Sequence, residues 1–121
     1  MKPITMIYIL NATLLLLHEI ESAYEKEWEI LKLPGNITGF LLLHIPIVLI
    51  LFYGLLEIEA LSAIGLWLGI LLGIGGIIPL IVHKLVVKRP GRFDLAISNA
   101  IIYLNSICGI ALIVYSVRYF R

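Results

Sequence analysis

Residues 37–56 read ITGFLLLHIPIVLILFYGLL, and this stretch decides the fold class. It contains no aspartate, glutamate, lysine or arginine, and about 20 helical residues cross a hydrocarbon core about 30 Å thick. The whole chain is 61% hydrophobic and only 14% charged, whereas soluble domains are roughly 25% charged. The 121 residues are therefore predicted to form a single integral membrane domain.

Three further apolar stretches lie on either side of this segment. They cover residues 3–17, 61–87 and 95–117. The first is interpreted as a retained span, because glutamates rather than a small-residue cleavage site follow it. A short hairpin is predicted at Glu57-Ile58-Glu59. The predicted fold is all-α, a four-transmembrane-helix bundle whose first helix extends into an acidic interfacial segment.

Basic residues give the predicted orientation. Four spans place both termini on one side, and the other side, here called the loop face, receives residues 18–36 and 83–94. The loop face carries six of the nine basic residues: Lys26, Lys32, Lys84, Lys88, Arg89 and Arg92. Since basic residues near span ends tend to stay in the cytoplasm, the loop face is predicted to be cytoplasmic in the cell membrane. The net charge of +1 gives no reason to expect a nucleic-acid partner.

All three histidines fall in the loop-face half of the bundle. His18 ends the first span, His44 lies about two turns into the second, and His83 lies near the end of the third. A polar group at the depth of His44 needs a partner. The pattern favours one shared site, and the alternative is three independent interfacial histidines.

Acidic residues complete a predicted metal site. His18 and Glu21 are three apart and share one helical face, a spacing that presents two ligands into a bundle. The predicted ligands are His18, Glu21, His44 and His83, with Asp94 as a further candidate at the start of the last helix. Imidazoles with one carboxylate suit a divalent transition metal, with zinc or iron favoured.

A second carboxylate is expected to assist the chemistry of such a site. Glu25 is the predicted general base, and Glu19 is the alternative. Glu27 and Glu29 are instead assigned to a solvated helix surface. The zincin motif HExxH is not present, because position 22 is serine.

The third predicted span carries glycines and a proline with structural consequences. Gly65, Gly69 and Gly73 are spaced by four and form one small-residue face, which packs either within the bundle or against a second copy in a homodimer. Pro79 lies four residues before His83 and removes a helical hydrogen bond, which predicts a kink next to that histidine. The lone cysteine, Cys108, allows no intrachain disulfide.

Three short motifs carry a family resemblance. They are His18-Glu19-Ile20-Glu21-Ser22-Ala23, Glu27-Trp28 and His44-Ile45-Pro46. They resemble a family of small, uncharacterised bacterial and archaeal membrane proteins, and more distantly the membrane family named after an HXXEE motif, with Ser22 in place of its second glutamate. The resemblance implies a four-helix membrane protein and no particular activity.

These observations lead to three functional hypotheses. The leading one is a metal-binding membrane protein that acts as a hydrolase on a lipid or a membrane peptide. The second is a small oligomeric transporter or an ion or proton pathway, with histidines and carboxylates as the relay. The third is a structural subunit of a larger membrane complex, which would use the glycine face as its contact.

Overall fold

The computed structural model describes residues 1–86 and 91–121. Its helices are α1 (Pro3–Tyr24), α2 (Glu27–Ile30), α3 (Asn36–Glu59), α4 (Ala63–Leu80), a π-helix (Ile81–Val86) and α5 (Ala96–Tyr119). Neither described range contains a strand, so the all-α prediction is confirmed. The predicted end of the third span at Val87 and the basic residues Lys88 and Arg89 lie outside the described residues.

Four helical stretches in the described ranges are long and apolar enough to cross a membrane. They are Pro3–Tyr24, Asn36–Glu59, Ala63–Val86 and Ala96–Tyr119. Their outer faces expose large apolar side chains such as Leu42, Phe52 and Ile107, each more than 60% exposed. A surface of this kind fits hydrocarbon rather than water. The fold is therefore that of a multi-pass membrane protein, as predicted.

The connection between α3 and α4 lies later than the sequence predicted. Glu57, Ile58 and Glu59 are still helical, and the turn is formed by residues 60–62. Leu61 has a φ of 53°, in the left-handed region, which ends α3. The hydroxyl of Ser62 then accepts a hydrogen bond of 2.9 Å from the N–H of Gly65 and caps α4.

Small residues bring α4 close to its neighbours inside the chain. α4 packs along α5, α5 also packs on α1, and α3 contacts α1 and α4. Gly65 lies against the backbone of α3, Gly69 against Ser116, and Gly73 against the carbonyl of Gly109. The glycine face is thus occupied within the bundle, which is the first of the two alternatives that the sequence left open, and a homodimer stays a prediction.

Polar residues lie along the buried faces of α1 and α5. Asn11 is fully buried, and its amide donates a 3.0 Å hydrogen bond to the carbonyl of Leu72 on α4. The buried polar residues of these two helices include Ser22, Ser98, Asn105 and Ser106. These faces run towards the loop face, where His18 is also buried, so Asn11 and His18 lie on one buried face of α1.

The third span changes from an α-helix to a π-helix just before His83. Pro79 has no N–H to donate to the carbonyl of Gly75, and the segment that follows, Ile81–Val86, is a π-helix. A π-helix has a wider turn than an α-helix and commonly occurs at functional sites. His83 lies within this segment and is 9% exposed. The disturbance predicted at Pro79 therefore takes the form of a π-helix that carries His83.

Candidate metal centre

The chain turns back on itself directly after α1. Lys26 has a φ of 53°, and the short helix α2 begins at the next residue. This turn buries Glu27 and Trp28, which are 8% and 7% exposed. The prediction that Glu27 lies on a solvated helix is wrong, because the helix does not continue through Lys26. Glu29 is exposed, as predicted.

Three ionisable side chains from separate segments meet at the loop face. His18 belongs to α1, Glu27 begins α2, and His83 lies in the π-helix. Nε2 of His83 is 3.0 Å from Oε1 of Glu27, and the ring centroids of His18 and His83 are 5.1 Å apart. One ligand atom from each residue lies within 4.8 Å of the other two. A small movement of the side chains would bring all three ligand atoms to about 2.0–2.2 Å from one ion, which is the distance at which nitrogen and oxygen ligands bind zinc.

Burial and packing hold the two imidazoles in place. His18 is 3% exposed, and its Nδ1 has no hydrogen-bond partner in residues 1–86 and 91–121. Phe93 stacks on His83 with a centroid distance of 4.0 Å and lies 5.4 Å from the ring of His18. A buried nitrogen without a partner is costly unless a ligand satisfies it. The unpaired Nδ1 therefore fits a site that holds an ion.

Glu27 has the charge that a metal ligand needs. Burial by itself would raise the pKa of this carboxyl, but hydrogen bonds from His83 and Ser22, together with the charge interactions with His18 and His83, outweigh burial and hold the pKa below its ordinary value. Glu27 is therefore ionised at neutral pH. Two imidazoles and one carboxylate form a ligand set that is typical of zinc and of non-haem iron.

His44 lies apart from this group and pairs with Glu19. Its Nδ1 donates a 2.7 Å hydrogen bond to the carbonyl of Phe40, and its Nε2 is 2.6 Å from Oε2 of Glu19. Since the Nδ1 proton is already used, the contact with Glu19 requires a second proton, either on Nε2 or on the carboxyl. The pair therefore shares a proton, and both nitrogens of His44 are engaged.

The structure places the other predicted site residues outside the three-residue group. Glu21 accepts a hydrogen bond from the hydroxyl of Ser98 on α5. Asp94 is exposed, and its Oδ2 accepts a 2.8 Å hydrogen bond from the N–H of Gly91. Oε2 of Glu25 lies 3.9 Å from Nε of Arg92, whose guanidinium also donates to the backbone carbonyl of Glu25. Each of these carboxylates thus contacts its own partner.

A cavity of about 430 Å³ lies beside the centre, between α1, α3 and α4. Its walls are mostly apolar, and α2 covers its loop-face end with Trp28. Four ionisable side chains lie at that end: His18, Glu19, Glu27 and His44. Two residues of the three-residue group, His18 and Glu27, and the proton-sharing pair therefore border one space, and a molecule in it would contact both sets.

A family model matches residues 4–119, which is almost the whole chain. The chain belongs to DUF6713, a family of unknown function. This membership agrees with the expected uncharacterised family, while the distant resemblance to the HXXEE family stays a prediction. No curated protein and no solved structure matches the chain significantly. The site geometry therefore has to carry the argument about function.

Sequence reasoning missed Glu27 and Phe93. On a continuous helix, roughly 100° per residue would place Glu27 on the side opposite His18, so periodicity argued against it. Lys26 gives no signal of the left-handed turn, which glycine or asparagine would have done. The resemblance had included Glu27-Trp28 as a motif, and this was the one indication that the residue is more than a surface charge.

Proposed function

We propose that this protein binds a divalent transition metal, zinc or iron, at His18, Glu27 and His83 and hydrolyses a substrate taken from the membrane. The observation that carries the proposal is the meeting of these three ligand atoms within 4.8 Å, from three separate segments and in a buried setting. Three protein ligands leave a position for water or substrate, as in catalytic zinc sites. An ion of this kind supplies Lewis acidity and lowers the pKa of a water molecule at its free position.

The proton-sharing pair is proposed to move the proton in this reaction. Glu19 and His44 border the same cavity as two of the ligands, His18 and Glu27, and already hold one proton between them. When that proton lies on His44, the Glu19 carboxylate can accept one from water, and the imidazolium can donate one to a leaving group. This assigns the role of base to Glu19, the alternative base, because Glu25 is engaged with Arg92.

Metal analysis of the purified protein tests the ligand set. The protein is loaded with Zn²⁺ or Fe²⁺, separated from loosely bound ions by gel filtration, and analysed by mass spectrometry for metal per chain. We expect about one ion per chain in the wild type and a loss in His83→Ala and Glu27→Gln, since each removes one of three ligands. Glu29→Gln is the matched control, because Glu29 is an exposed glutamate on the same short helix. Equal metal content in all four proteins would refute the site.

One observation favours the second candidate, an ion or proton pathway. Oδ1 of Asn11 and both amide atoms of Asn105 are buried and have no hydrogen-bond partner in the described part of the chain. Both side chains lie near Gly76 of α4, in the interior of the bundle. A pathway through these residues predicts a pH-dependent flux in liposomes that Asn105→Leu abolishes. A flux equal to that of protein-free liposomes would exclude this candidate.

A further inference from the structure

We propose that the cavity binds a single-chain acyl lipid from the bilayer, with its ester or amide carbonyl at the end formed by Glu27 and the Glu19–His44 pair. The proposal deepens the proposed function by naming the substrate class. It rests on the metal centre for the chemistry of hydrolysis, but the binding step needs only the cavity. Its support comes from the length, the opening and the charge of this space.

The length of the cavity matches one leaflet of a membrane. On α1 its wall runs from Tyr8 to Glu19, which at about 1.5 Å per residue is roughly 16 Å. This is about half of a hydrocarbon core that is about 30 Å thick. The polar side chains lie at the loop-face end, and the wall beyond them is apolar except for the hydroxyl of Tyr8, which donates to the carbonyl of Leu51. A lipid of the loop-face leaflet has the same order of polar and apolar parts.

The width of the cavity favours an alkyl chain over a peptide helix. A volume of about 430 Å³ spread over roughly 16 Å gives a mean cross-section of roughly 27 Å². A helix of about 10 Å diameter has a cross-section of roughly 80 Å². The space therefore holds one extended chain but no transmembrane helix. Of a lipid and a helical membrane peptide, the lipid is the substrate that fits.

The cavity opens sideways between α3 and α4. The residues of its wall that remain exposed include Leu43 and Ile50 on α3 and Leu71 and Ile74 on α4, which are 46–60% exposed. All four are apolar and belong to membrane-spanning helices. A chain can therefore enter from the bilayer without passing through water, and the apolar surface that it covers favours its binding.

The charges at the polar end select the head of the lipid. Glu27 is the one carboxylate at this end without a shared proton, since the Glu19–His44 pair carries no net charge, and none of the described residues that line the cavity is lysine or arginine. In the metal-free protein an anionic phosphate or carboxylate would therefore meet the like charge of Glu27 in a medium of low dielectric constant. An uncharged ester or amide avoids this repulsion, and its carbonyl can accept the proton that Glu19 and His44 share.

Trp28 provides a direct measurement of binding. It lies in the wall of the cavity, and the only other tryptophan of the chain, Trp67, is 64% exposed on the outer surface. In a Trp67→Phe background the fluorescence of Trp28 is followed in phosphatidylcholine vesicles, with a chelator present, while a monoacylglycerol brominated on the chain carbons nearest its carbonyl is added. We expect saturable quenching, because a bromine atom in the cavity contacts the indole ring.

Two substitutions fill the cavity from opposite walls. Gly75→Leu enlarges a residue whose added Cβ would meet only Leu15, at 3.7 Å, and Ile47→Phe narrows the space from α3. Each is expected to weaken the saturable quenching about tenfold, since an overfilled cavity excludes the chain. Ala100→Leu is the matched control on the exposed face of α5 and should leave quenching unchanged. Quenching that rises without saturation, and equally in all variants, would overturn the proposal.

Two further measurements complete the test. The first distinguishes lipid binding from metal binding, and the second distinguishes an uncharged lipid head from an anionic one. His83→Ala should lose the metal but keep saturable quenching, because His83 belongs to the metal group but does not line the cavity. Gly75→Leu should keep the metal and weaken the quenching. Quenching in a protein that never binds metal would remove the proposed hydrolysis and leave the lipid site standing. A brominated fatty-acid anion should bind about tenfold more weakly than the ester. Equal binding of the two would overturn the choice of an uncharged head.

Discussion

Oε1 of Glu27 lies 3.0 Å from Nε2 of His83, although α3 and α4 separate the two residues in the chain. The contact ties the segment after the first span to the end of the third span. Both side chains are buried. Glu27 is therefore the carboxylate that lies beside the imidazoles of His18 and His83. This relationship changes which residues should be replaced to test metal binding.

The structure and the sequence pattern predict different ligand sets, and histidine variants separate them. His83→Ala should lose the metal. His44→Ala, Glu21→Gln and Asp94→Asn should keep it, since these side chains contact other partners. The measurement is metal per chain after dialysis against a chelator. Loss of the metal in His44→Ala as complete as in His83→Ala would restore the four-residue set that the sequence favoured.

Phe93 is predicted to act as a positioning residue for the two imidazoles. Its ring stacks on His83 and is 3% exposed. Phe93→Ala should raise the dissociation constant for zinc about tenfold, within the range found for residues that orient metal ligands. Phe93→Tyr should restore tight binding because it keeps the stacked ring. Phe120→Ala is the control, since Phe120 packs on Trp67. A merely structural role would lower stability without changing the dissociation constant.

Two glycines of α4 that lie two residues apart should respond differently to alanine. At Gly73 an added methyl group would meet the carbonyl of Gly109 and the side chain of Ile113, so Gly73→Ala should lower the free energy of unfolding by about 1–3 kcal/mol. At Gly75 the nearest atom is 3.7 Å away, so Gly75→Ala should leave it unchanged or raise it slightly. Equilibrium unfolding in mixed micelles measures both. Equal effects would mean that α4 and α5 do not pack as described.

The orientation of the protein in the membrane remains a prediction from its basic residues. Cysteines are introduced at exposed positions near opposite ends of the bundle, Glu29→Cys and Arg121→Cys, in a Cys108→Ser background. An impermeant thiol reagent should label Arg121→Cys in intact cells and Glu29→Cys only after permeabilisation, because the loop face is predicted to be cytoplasmic. The reverse labelling pattern would invert the topology.

The fold could be predicted from the sequence because a bilayer admits few solutions. The hydrocarbon core contains no water, so the backbone N–H and C=O groups of a membrane span must form hydrogen bonds within the helix. Long apolar stretches such as residues 37–56 are therefore sufficient to predict helices. The spacing of seven residues, about two helical turns, also brings Asn11 and His18 to one buried face. Boundaries were less certain, since Leu61 and Lys26 adopt left-handed backbone conformations that their residue types do not suggest.

The site could be predicted only in part. The half of the membrane that holds the histidines followed from topology, and His18 and His83 do meet. Which carboxylate joins them depends on a reversal of the chain at Lys26, and which acid meets His44 depends on how α1 and α3 are aligned. Neither is encoded in the spacing along one helix. Three-dimensional packing was needed to separate Glu27 and Glu19 from Glu21 and Glu25.

The short helix α2 contacts both the metal site and the cavity. Glu27 faces the two histidines, while the next residue, Trp28, closes the cavity at the loop face. The side of the cavity between α3 and α4 stays apolar and exposed. An ion from the aqueous phase and a chain from the bilayer would therefore arrive by perpendicular routes. Turnover of a lipid could proceed with the ion retained, and the order in which the two arrive need not be fixed.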